Sequence, residues 1–145
     1  MTADRNSNAT IDSILASARV FAVIGASNKP ERASFGVIRS LLDHGYIVHP
    51  VNPGLAGHQI HGRTVYATLA GVPSPVDVVD IFRNASDALA AVRDAIQLRQ
   101  QLGITVVWMQ LGVINVQAAN EAEAAGMIAV MDRCPRIEFA RASRR

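Results

Sequence analysis

The sequence of 145 residues has one cysteine, one lysine and few aromatic residues. A single cysteine excludes a disulfide framework within the chain and any Cys-x-x-Cys metal or redox motif. The four histidines have no metal-ligand spacing, so we expect no metal site. No apolar run approaches the roughly 20 residues that cross a bilayer, and the first eight residues are polar, unlike a secretory signal. We therefore expect a cytoplasmic protein that does not enter membranes.

The positive charge of the chain is concentrated near its carboxyl terminus. The formal net charge is +2, but residues 133–145 carry +4 and the remainder carries −2. A basic face on the folded body is therefore not indicated. The aromatic content of 5% also leaves few rings for stacking on single-stranded nucleic acid. We expect no nucleic-acid partner.

Apolar runs without alternation recur along the chain and predict five buried strands. Such runs are typical of a parallel sheet that helices cover on both faces. Helical patterns separate them at 10–18, 34–44 and 86–102 and between Asn115 and Gly126. The predicted strands are 20–24, 46–48, 76–82, 104–109 and 127–131.

The alternation of strands and helices predicts the fold class. Because parallel strands are joined by right-handed crossovers, this alternation indicates a Rossmann-like, doubly wound α/β fold. We expect a mostly parallel five-stranded sheet in the order 3-2-1-4-5 with helices on both faces. Residues 54–75 contain four glycines and two prolines and are predicted as a short helical turn with a loop. We assign residues 10–138 to a single domain and expect residues 1–9 and 139–145 to be flexible ends.

The loop after the first predicted strand has the features of an anion site. Residues 25–34 lead from a glycine turn into a helix N-terminus, whose free amides and dipole favour a phosphate. Lys29 is the only lysine of the chain, and Arg32 adds a second cation. Ligands of doubly wound sheets bind beyond the carboxyl ends of the strands, where the winding reverses. With the predicted order, that point lies between the first and fourth strands.

This loop lacks the motifs of the common nucleotide sites. Only Gly25 matches the pattern G-x-G-x-x-G, and no G-K-[ST] of a Walker loop follows it. A dinucleotide site places a ribose-binding acid at the tip of the second strand, where this chain has Asn52 and Pro53. The loop is basic, whereas a flavodoxin-like flavin site is rich in hydroxyls. The ligand class that remains is an adenine nucleotide or a related cofactor with more negative charge than NAD.

Six short segments are informative as a set. They are Gly25-Ala26-Ser27, Pro30-x-Arg32-x-Ser34, Gly45-Tyr46-x-Val48-x-Pro50-Val51-Asn52-Pro53, Val76-Asp77-x-Val79-Asp80-x-Phe82-Arg83, Trp108-x-Gln110-x-Gly112-Val113 and Met131-Asp132-Arg133-Cys134-Pro135. Together they resemble the small stand-alone CoA-binding domain proteins, which are similar to the N-terminal CoA-binding domain of the succinyl-CoA synthetase α subunit. The resemblance spans residues 10–138 and implies a Rossmann-like, nucleotide-binding domain.

The resemblance implies that coenzyme A, or an acyl-CoA, binds in the crevice where the winding reverses. The implied positions follow the ligand from its phosphates through the nucleoside and adenine to the pantetheine arm. They are Gly25, Ala26, Ser27, Lys29, Arg32, Ser34, Asn52, Pro53, Phe82, Arg83, Gln110, Leu111 and Gly112. The diphosphate and 3′-phosphate of coenzyme A also suit the cationic side chains in this set.

The sequence contains no assembled catalytic group. No histidine has an evident nucleophile partner, and Asp77 and Asp80 point to opposite faces of a strand. The synthetase chains continue into a domain with a phosphorylated histidine, which this sequence does not have, so ligase activity is not expected. We expect a non-catalytic module that senses its ligand, or that serves a protein partner or assembles with a second copy. The alternatives are an NAD(P)-binding regulator and a small enzyme that acts on acyl-CoA with a partner.

Cys134 is the remaining residue of chemical interest. It follows the fifth predicted strand, between Arg133 and Pro135. A cysteine at this place could form a mixed disulfide with the thiol of coenzyme A. The sequence leaves open whether the sulfur reaches the ligand or is a plain, partly buried side chain.

Overall fold

The computed structural model describes residues 5–143. Helices and strands alternate along the chain, as the sequence predicts, and two 3-10 turns at Pro53–Leu55 and Leu69–Gly71 complete the elements. The helices are α1 (Asn8–Ser17), α2 (Ala33–Asp43), α3 (Ala85–Leu102), α4 (Val116–Ala124) and α5 (Pro135–Ala142). The strands are β1 (Val20–Ile24), β2 (Ile47–Val51), β3 (Gln59–Ile60), β4 (Arg63–Thr64), β5 (Val78–Ile81), β6 (Val106–Met109) and β7 (Ile128–Val130).

Five strands form one parallel sheet in the order β2-β1-β5-β6-β7. Every residue of β1, β5 and β6 is buried, which explains why these strands read as continuous apolar runs. Helices α1, α2 and α5 cover one face of the sheet, and α3 and α4 cover the other. The doubly wound α/β fold is therefore confirmed.

The order 3-2-1-4-5 depends on a third strand that is only rudimentary. Tyr66 forms a single parallel bridge with Val51 at the outer edge of β2, with hydrogen bonds to Pro50 and Asn52. Counted as the third strand, this segment makes β5, β6 and β7 the fourth, fifth and sixth, so the predicted order 3-2-1-4-5 holds and a sixth strand follows it. The segment 76–82, which the sequence analysis takes as the third strand, lies in the middle of the sheet instead. A one-residue bridge carries no apolar run that a sequence pattern could reveal.

The segment between β2 and β5 contains more structure than a turn and a loop. Strands β3 and β4 form a two-residue antiparallel hairpin between the two 3-10 turns. Ile60 and Val65 of this hairpin are buried in the core on the α2 face and hold it in place. Strands of two residues are too short for alternation to show in the sequence.

Both chain ends are more structured than the sequence analysis expects. Arg5 pairs with Glu123, with nitrogen and oxygen 2.7 Å apart, and the amide of Asn6 bonds to the backbone of Met131. Residues 139–142 continue α5. These contacts join segments more than 100 residues apart, so local sequence does not reveal them. Residues 1–4 and 144–145, which belong to the same expectation, lie outside the described residues.

Helix α5 is held by ionic contacts as well as by the packing of Phe139. Glu138 is buried and accepts hydrogen bonds from Arg133 at 3.0 Å and Arg141 at 2.7 Å. Arg141 also reaches Asp12 of α1 at 2.6 Å. Buried pairs of this kind are costly to break, because removal of one partner leaves an uncompensated charge. Two of the terminal arginines are thus neutralised within the fold.

Asparagine caps place two helices at the carboxyl ends of strands. The side chain of Asn84, three residues after β5, accepts the amide of Asp87 and caps α3. The side chain of Asn115 accepts the amide of Ala118 and caps α4. Each satisfies a donor that the first turn of a helix leaves free. No helix within residues 5–143 is long and apolar enough to cross a membrane.

Asp80 is a buried carboxyl in the centre of the sheet. It is fully buried in β5, where it is registered with Val23 of β1 and Trp108 of β6. No described residue donates a hydrogen bond to either of its oxygens. Burial raises the pKa of Asp80 well above its ordinary value of 3.8. The folded protein therefore holds a proton at this position more tightly than the unfolded chain does.

This burial makes folding depend on pH. The stability that protonated Asp80 contributes is fully present below the pKa of the unfolded chain, and it is lost as the pH rises through the raised pKa of the folded state. Asp80→Asn is neutral at every pH and avoids this loss. We expect the stability of the variant relative to the parent to increase from pH 4 towards pH 8, as measured by urea unfolding. The exposed control Asp94→Asn should show no such trend, and a flat difference for Asp80→Asn would contradict the assignment.

Candidate functional site

A cleft of about 830 Å³ lies at the carboxyl ends of the parallel strands. This is the edge at which doubly wound folds bind their ligands, and the size is within the usual range for small-molecule sites. The loops after β1, β2, β5, β6 and β7 contribute to it. The lining residues are Gly25, Ser27, Asn28, Lys29, Arg32, Ala33, Ser34, Asn52, Gly54, Leu55, Phe82, Arg83, Gln110, Leu111, Val113 and Cys134.

Gly25 lies where the loops after β1 and β5 approach each other closely. Its φ of +80° is in the left-handed region, and a Cβ at this position would lie 2.1 Å from the carbonyl oxygen of Phe82. The amide of Phe82 donates to Ile24 at 2.9 Å and continues the pairing of β1 with β5 beyond the strands. Because β5 is next to β1, Phe82 and Arg83 lie where the winding reverses. The predicted order placed their segment at the outer edge of the sheet.

The backbone amides of the loop after β1 are mostly used within the protein. Gly25 and Ala26 both donate to the carbonyl of Val51, at 3.0 and 3.2 Å. Ser27 donates to the hydroxyl of Ser34 at 3.0 Å, and Lys29 donates to the hydroxyl of Ser27 at 3.1 Å. These bonds fix the shape of the loop. They also leave its cationic side chains and the start of α2 as the groups that can meet an anion.

The cleft is strongly positive for its size. Lys29, Arg32 and Arg83 line it, and no aspartate or glutamate within residues 5–143 does so. None of the ion pairs within residues 5–143 involves these three cations. Helix α2 begins at this cleft without a side-chain cap, so its first amides add positive potential. The combination favours a ligand that carries several negative charges.

Asn52 ties two of the loops together. Its side-chain nitrogen donates to the carbonyl of Ala26 at 2.8 Å, and its side-chain oxygen accepts the amide of Gly54 at 2.9 Å. Both ends of the side chain are therefore engaged within the protein. Pro53 lines a smaller pocket of about 330 Å³, which also contains Arg83 and so adjoins the main cleft.

The far end of the cleft is formed after β6 and β7. Gln110 is only 4% exposed, and its Oε1 atom has no hydrogen-bond partner among the described residues. Leu111 beside it is 56% exposed. Gly112 does not line the cleft, but its amide donates to Asp132 at 2.7 Å and joins the two loops. A buried acceptor without a partner costs free energy, which a ligand with an N–H group would recover.

Cys134 reaches the cleft from the segment that leads into α5. It is 7% exposed and packs in the core on the α2 face. The preceding carbonyl, of Arg133, accepts the indole N–H of Trp108 at 2.8 Å, which holds this segment against β6. The Arg133 side chain pairs with Glu138.

Ten of the thirteen sequence-predicted positions line the main cleft. Of the other three, Ala26 is fully buried, Pro53 faces the adjoining pocket and Gly112 joins two loops. The sequence analysis did not include six lining residues in its site. Four of these directly neighbour predicted positions and Leu55 is two residues from Pro53, so a wider window around each strand end would have found them. Cys134 follows the last strand, and the same rule of strand ends points to it. The six are Asn28, Ala33, Gly54, Leu55, Val113 and Cys134.

Comparison with known families assigns the chain to a family of domains. The model of the CoA binding domain matches residues 19–140, which is most of the chain and includes all five strands of the sheet. The chain belongs to the CoA binding domain family.

Related proteins share the length and fold of this domain. YneT of Bacillus subtilis (strain 168) is 28% identical over 134 residues, which are 92% of this chain and 95% of YneT. The structure of a hypothetical protein from Pyrococcus horikoshii OT3 is 35% identical with a TM-score of 0.84, over 97% of this chain and 98% of that one.

A larger enzyme contains the same fold as one part of its chain. The Ca. Korarchaeum cryptofilum dinucleotide forming acetyl-coenzyme A synthetase 1, solved with phosphate and ADP, matches 83% of this chain and 27% of its own length. The identity is 22% and the TM-score is 0.70, so this likeness shows the fold alone.

The contact between Gly25 and Phe82 can be tested by adding a single methyl group. Gly25→Ala would suffer both the strain of a positive φ, about 1 kcal/mol, and a clash with backbone. Gly57→Ala is a matched control, because Gly57 also has a positive φ, of +85°, but nothing lies within 4 Å of its Cβ position. We expect Gly25→Ala to lower the free energy of unfolding by about 2 kcal/mol more than Gly57→Ala, as measured by chemical denaturation. Equal losses would show that the two loops do not meet as described.

Proposed function

We propose that this CoA binding domain binds coenzyme A, or an acyl-CoA, in the cleft at the carboxyl ends of its strands, and that it does so without catalysing a reaction. The observation that carries the proposal is the division of the cleft into two chemically different ends. One end has Lys29, Arg32 and Arg83 and no carboxylate. The other end has the buried, unpartnered oxygen of Gln110.

Coenzyme A has the same division. Its diphosphate and 3′-phosphate are anionic, whereas its pantetheine arm is slender and neutral and contains two amide groups. The three cations at one end suit the phosphates, since charge-assisted hydrogen bonds to phosphate are among the stronger contacts in proteins. An amide N–H of the arm supplies the donor that Gln110 lacks. The exposed Leu111 offers apolar contact along the same path.

The main alternative, NAD(P), fits the same residues less well. An NAD site needs an acidic residue at the tip of the second strand to hold the ribose hydroxyls. Asn52 stands there, and both ends of its side chain are bonded within the protein. ATP would meet the cations but would leave the end with Gln110 and Cys134 unfilled.

A binding role, as opposed to catalysis, is supported by the composition of the cleft. Its lining contains no histidine, aspartate or glutamate, which are the usual proton donors and acceptors of active sites. The module would then act as a sensor, or as a subunit that presents the bound cofactor to a protein partner. A domain of the same fold inside an acetyl-coenzyme A synthetase supports the second use.

Thermal unfolding with a panel of ligands tests the proposal. A ligand that binds only the folded state raises the melting temperature by mass action. We expect coenzyme A and acetyl-CoA to raise it most, 3′-dephospho-CoA less, and NAD, NADP and ATP least. A shift with NAD or NADP and none with coenzyme A would overturn the proposal in favour of a dinucleotide regulator.

Removal of the cations should weaken binding and leave the fold intact. Lys29→Ala and Arg32→Ala should each lower the affinity for coenzyme A about tenfold or more in calorimetry, because each removes a charge-assisted contact of about 1.5 to 3 kcal/mol. Arg19→Ala is the control: Arg19 is also exposed but lies at the opposite edge of the sheet, before β1. Unchanged affinity in both cleft variants would show that the phosphates bind elsewhere.

Gln110 should show opposite effects on stability and on binding. Gln110→Leu removes a buried acceptor that has no partner, so the free energy of unfolding without ligand should stay the same or rise by about 1 kcal/mol. The affinity for coenzyme A should fall about tenfold, because the ligand loses its acceptor. Gln101→Leu, at an exposed site near the end of α3, should change neither quantity appreciably. Loss of stability with unchanged affinity would mean that Gln110 is only a structural residue.

A further inference from the structure

The only cysteine of the chain lines the cleft that the cofactor would occupy. Cys134 is not in a disulfide, and only 7% of the residue is exposed. It shares this cleft with Lys29 and Arg32, although these residues are more than 100 positions away in the sequence. A molecule that fills the cleft would therefore lie against Cys134.

A second, independent feature indicates that a ligand occupies this end of the cleft. Gln110 is buried and its Oε1 atom lacks a partner within the described part of the chain. Loops after the neighbouring strands β6 and β7 carry Gln110 and Cys134, and the Trp108 to Arg133 hydrogen bond holds these loops together. The polar acceptor and the sulfur thus belong to one end of one site.

The length of the pantetheine arm suits the width of the sheet. β1 and β7 are separated by three strand spacings of about 4.8 Å, or about 14 Å in all. The arm has about thirteen bonds between its phosphorus and its sulfur, as many as about four residues of extended chain, which span about 14 Å. A diphosphate held by the loop after β1 would therefore bring the thiol of the cofactor to the segment after β7.

We propose that Cys134 forms a mixed disulfide with coenzyme A in this cleft, by exchange with a CoA disulfide. The inference rests on the proposed function, because the cleft must first hold the cofactor. The Cys134 thiolate attacks one sulfur of the CoA disulfide and forms the new S–S bond. The original S–S bond breaks, and the second CoA leaves as a thiolate. This thiolate takes up one proton, which balances the proton that Cys134 released on ionisation. No other oxidant is needed.

The cleft makes this exchange selective. The cations Lys29 and Arg32 lie at the phosphate end, so a disulfide that carries CoA phosphates is concentrated next to the sulfur, whereas a small disulfide is not. Burial of Cys134 in the core restricts other approaches to its sulfur. The adduct would record the state of the cellular CoA pool, reduced or oxidised.

The mass of the intact protein under non-reducing conditions tests the inference. Incubation of the reduced protein with CoA disulfide should add the mass of one coenzyme A less two hydrogens, and dithiothreitol should remove it. Because the chain has a single cysteine, the mass alone locates the adduct. Cys134→Ser should gain nothing. Lys29→Ala combined with Arg32→Ala should slow the reaction with CoA disulfide at least tenfold without slowing the reaction with cystamine, and Arg19→Ala should slow neither.

The outcomes separate this inference from the proposed function. A protein that coenzyme A stabilises in thermal unfolding, but that gains no adduct from CoA disulfide, would overturn the mixed disulfide and leave the binding role standing. A protein that coenzyme A does not stabilise, and that reacts equally fast with CoA disulfide and cystamine whether or not Lys29 and Arg32 are present, would overturn both. Selective, reversible addition of CoA by the parent protein would support both.

Discussion

The pairing of β1 with β5 is the constraint on which the cleft depends. The hydrogen bond from the Phe82 amide to the Ile24 carbonyl extends this pairing past the strand ends, where Gly25 lies against the carbonyl of Phe82. Helix α2 leaves β1 towards one face of the sheet, and α3 leaves β5 towards the other. The loops therefore diverge after their closest approach, and the space between them is the crevice. A side chain at position 25 would force them apart at this point.

Among the described residues, the buried side-chain oxygens of Gln110 and Asp80 lack hydrogen-bond partners, and the two residues differ in whether a ligand can supply one. Gln110 lines the cleft, so a bound ligand that donates a hydrogen bond would offset the cost of its unpaired oxygen. Asp80 is enclosed in the sheet, where its raised pKa shows that it lowers its cost by keeping a proton. The first arrangement is typical of a binding site, where a group that the ligand needs lowers the stability of the free protein. The second is a property of the fold.

The parts of the fold that the sequence predicts well are those with local causes. Unbroken apolar runs identify β1, β5 and β6 because both faces of these strands are covered. Helix α5 was not predicted, because its buried side includes Glu138, a charged residue that a hydrophobic pattern does not mark as buried. Arg133 and Arg141 compensate its charge. The edge segment at Tyr66 was also missed, since one bridge leaves no pattern. In each failure, the stabilising contact comes from distant parts of the chain.

The sequence by itself determined the doubly wound class, the loop with Lys29 and Arg32 at a strand end, and ten residues that prove to line one cleft. The class and the loop follow from rules that act within a few residues: periodicity, helix termini and the location of strand ends. The ten lining residues belong to the set that the resemblance to CoA-binding domains implies. Only the tertiary structure decided that Val51 and Ser34 occupy the amides of the loop after β1, that Gln110 keeps a buried oxygen without a partner, and that Cys134 lies in the same cleft. Each of these depends on which distant groups meet, and that is set by the packing of the whole sheet and its helices.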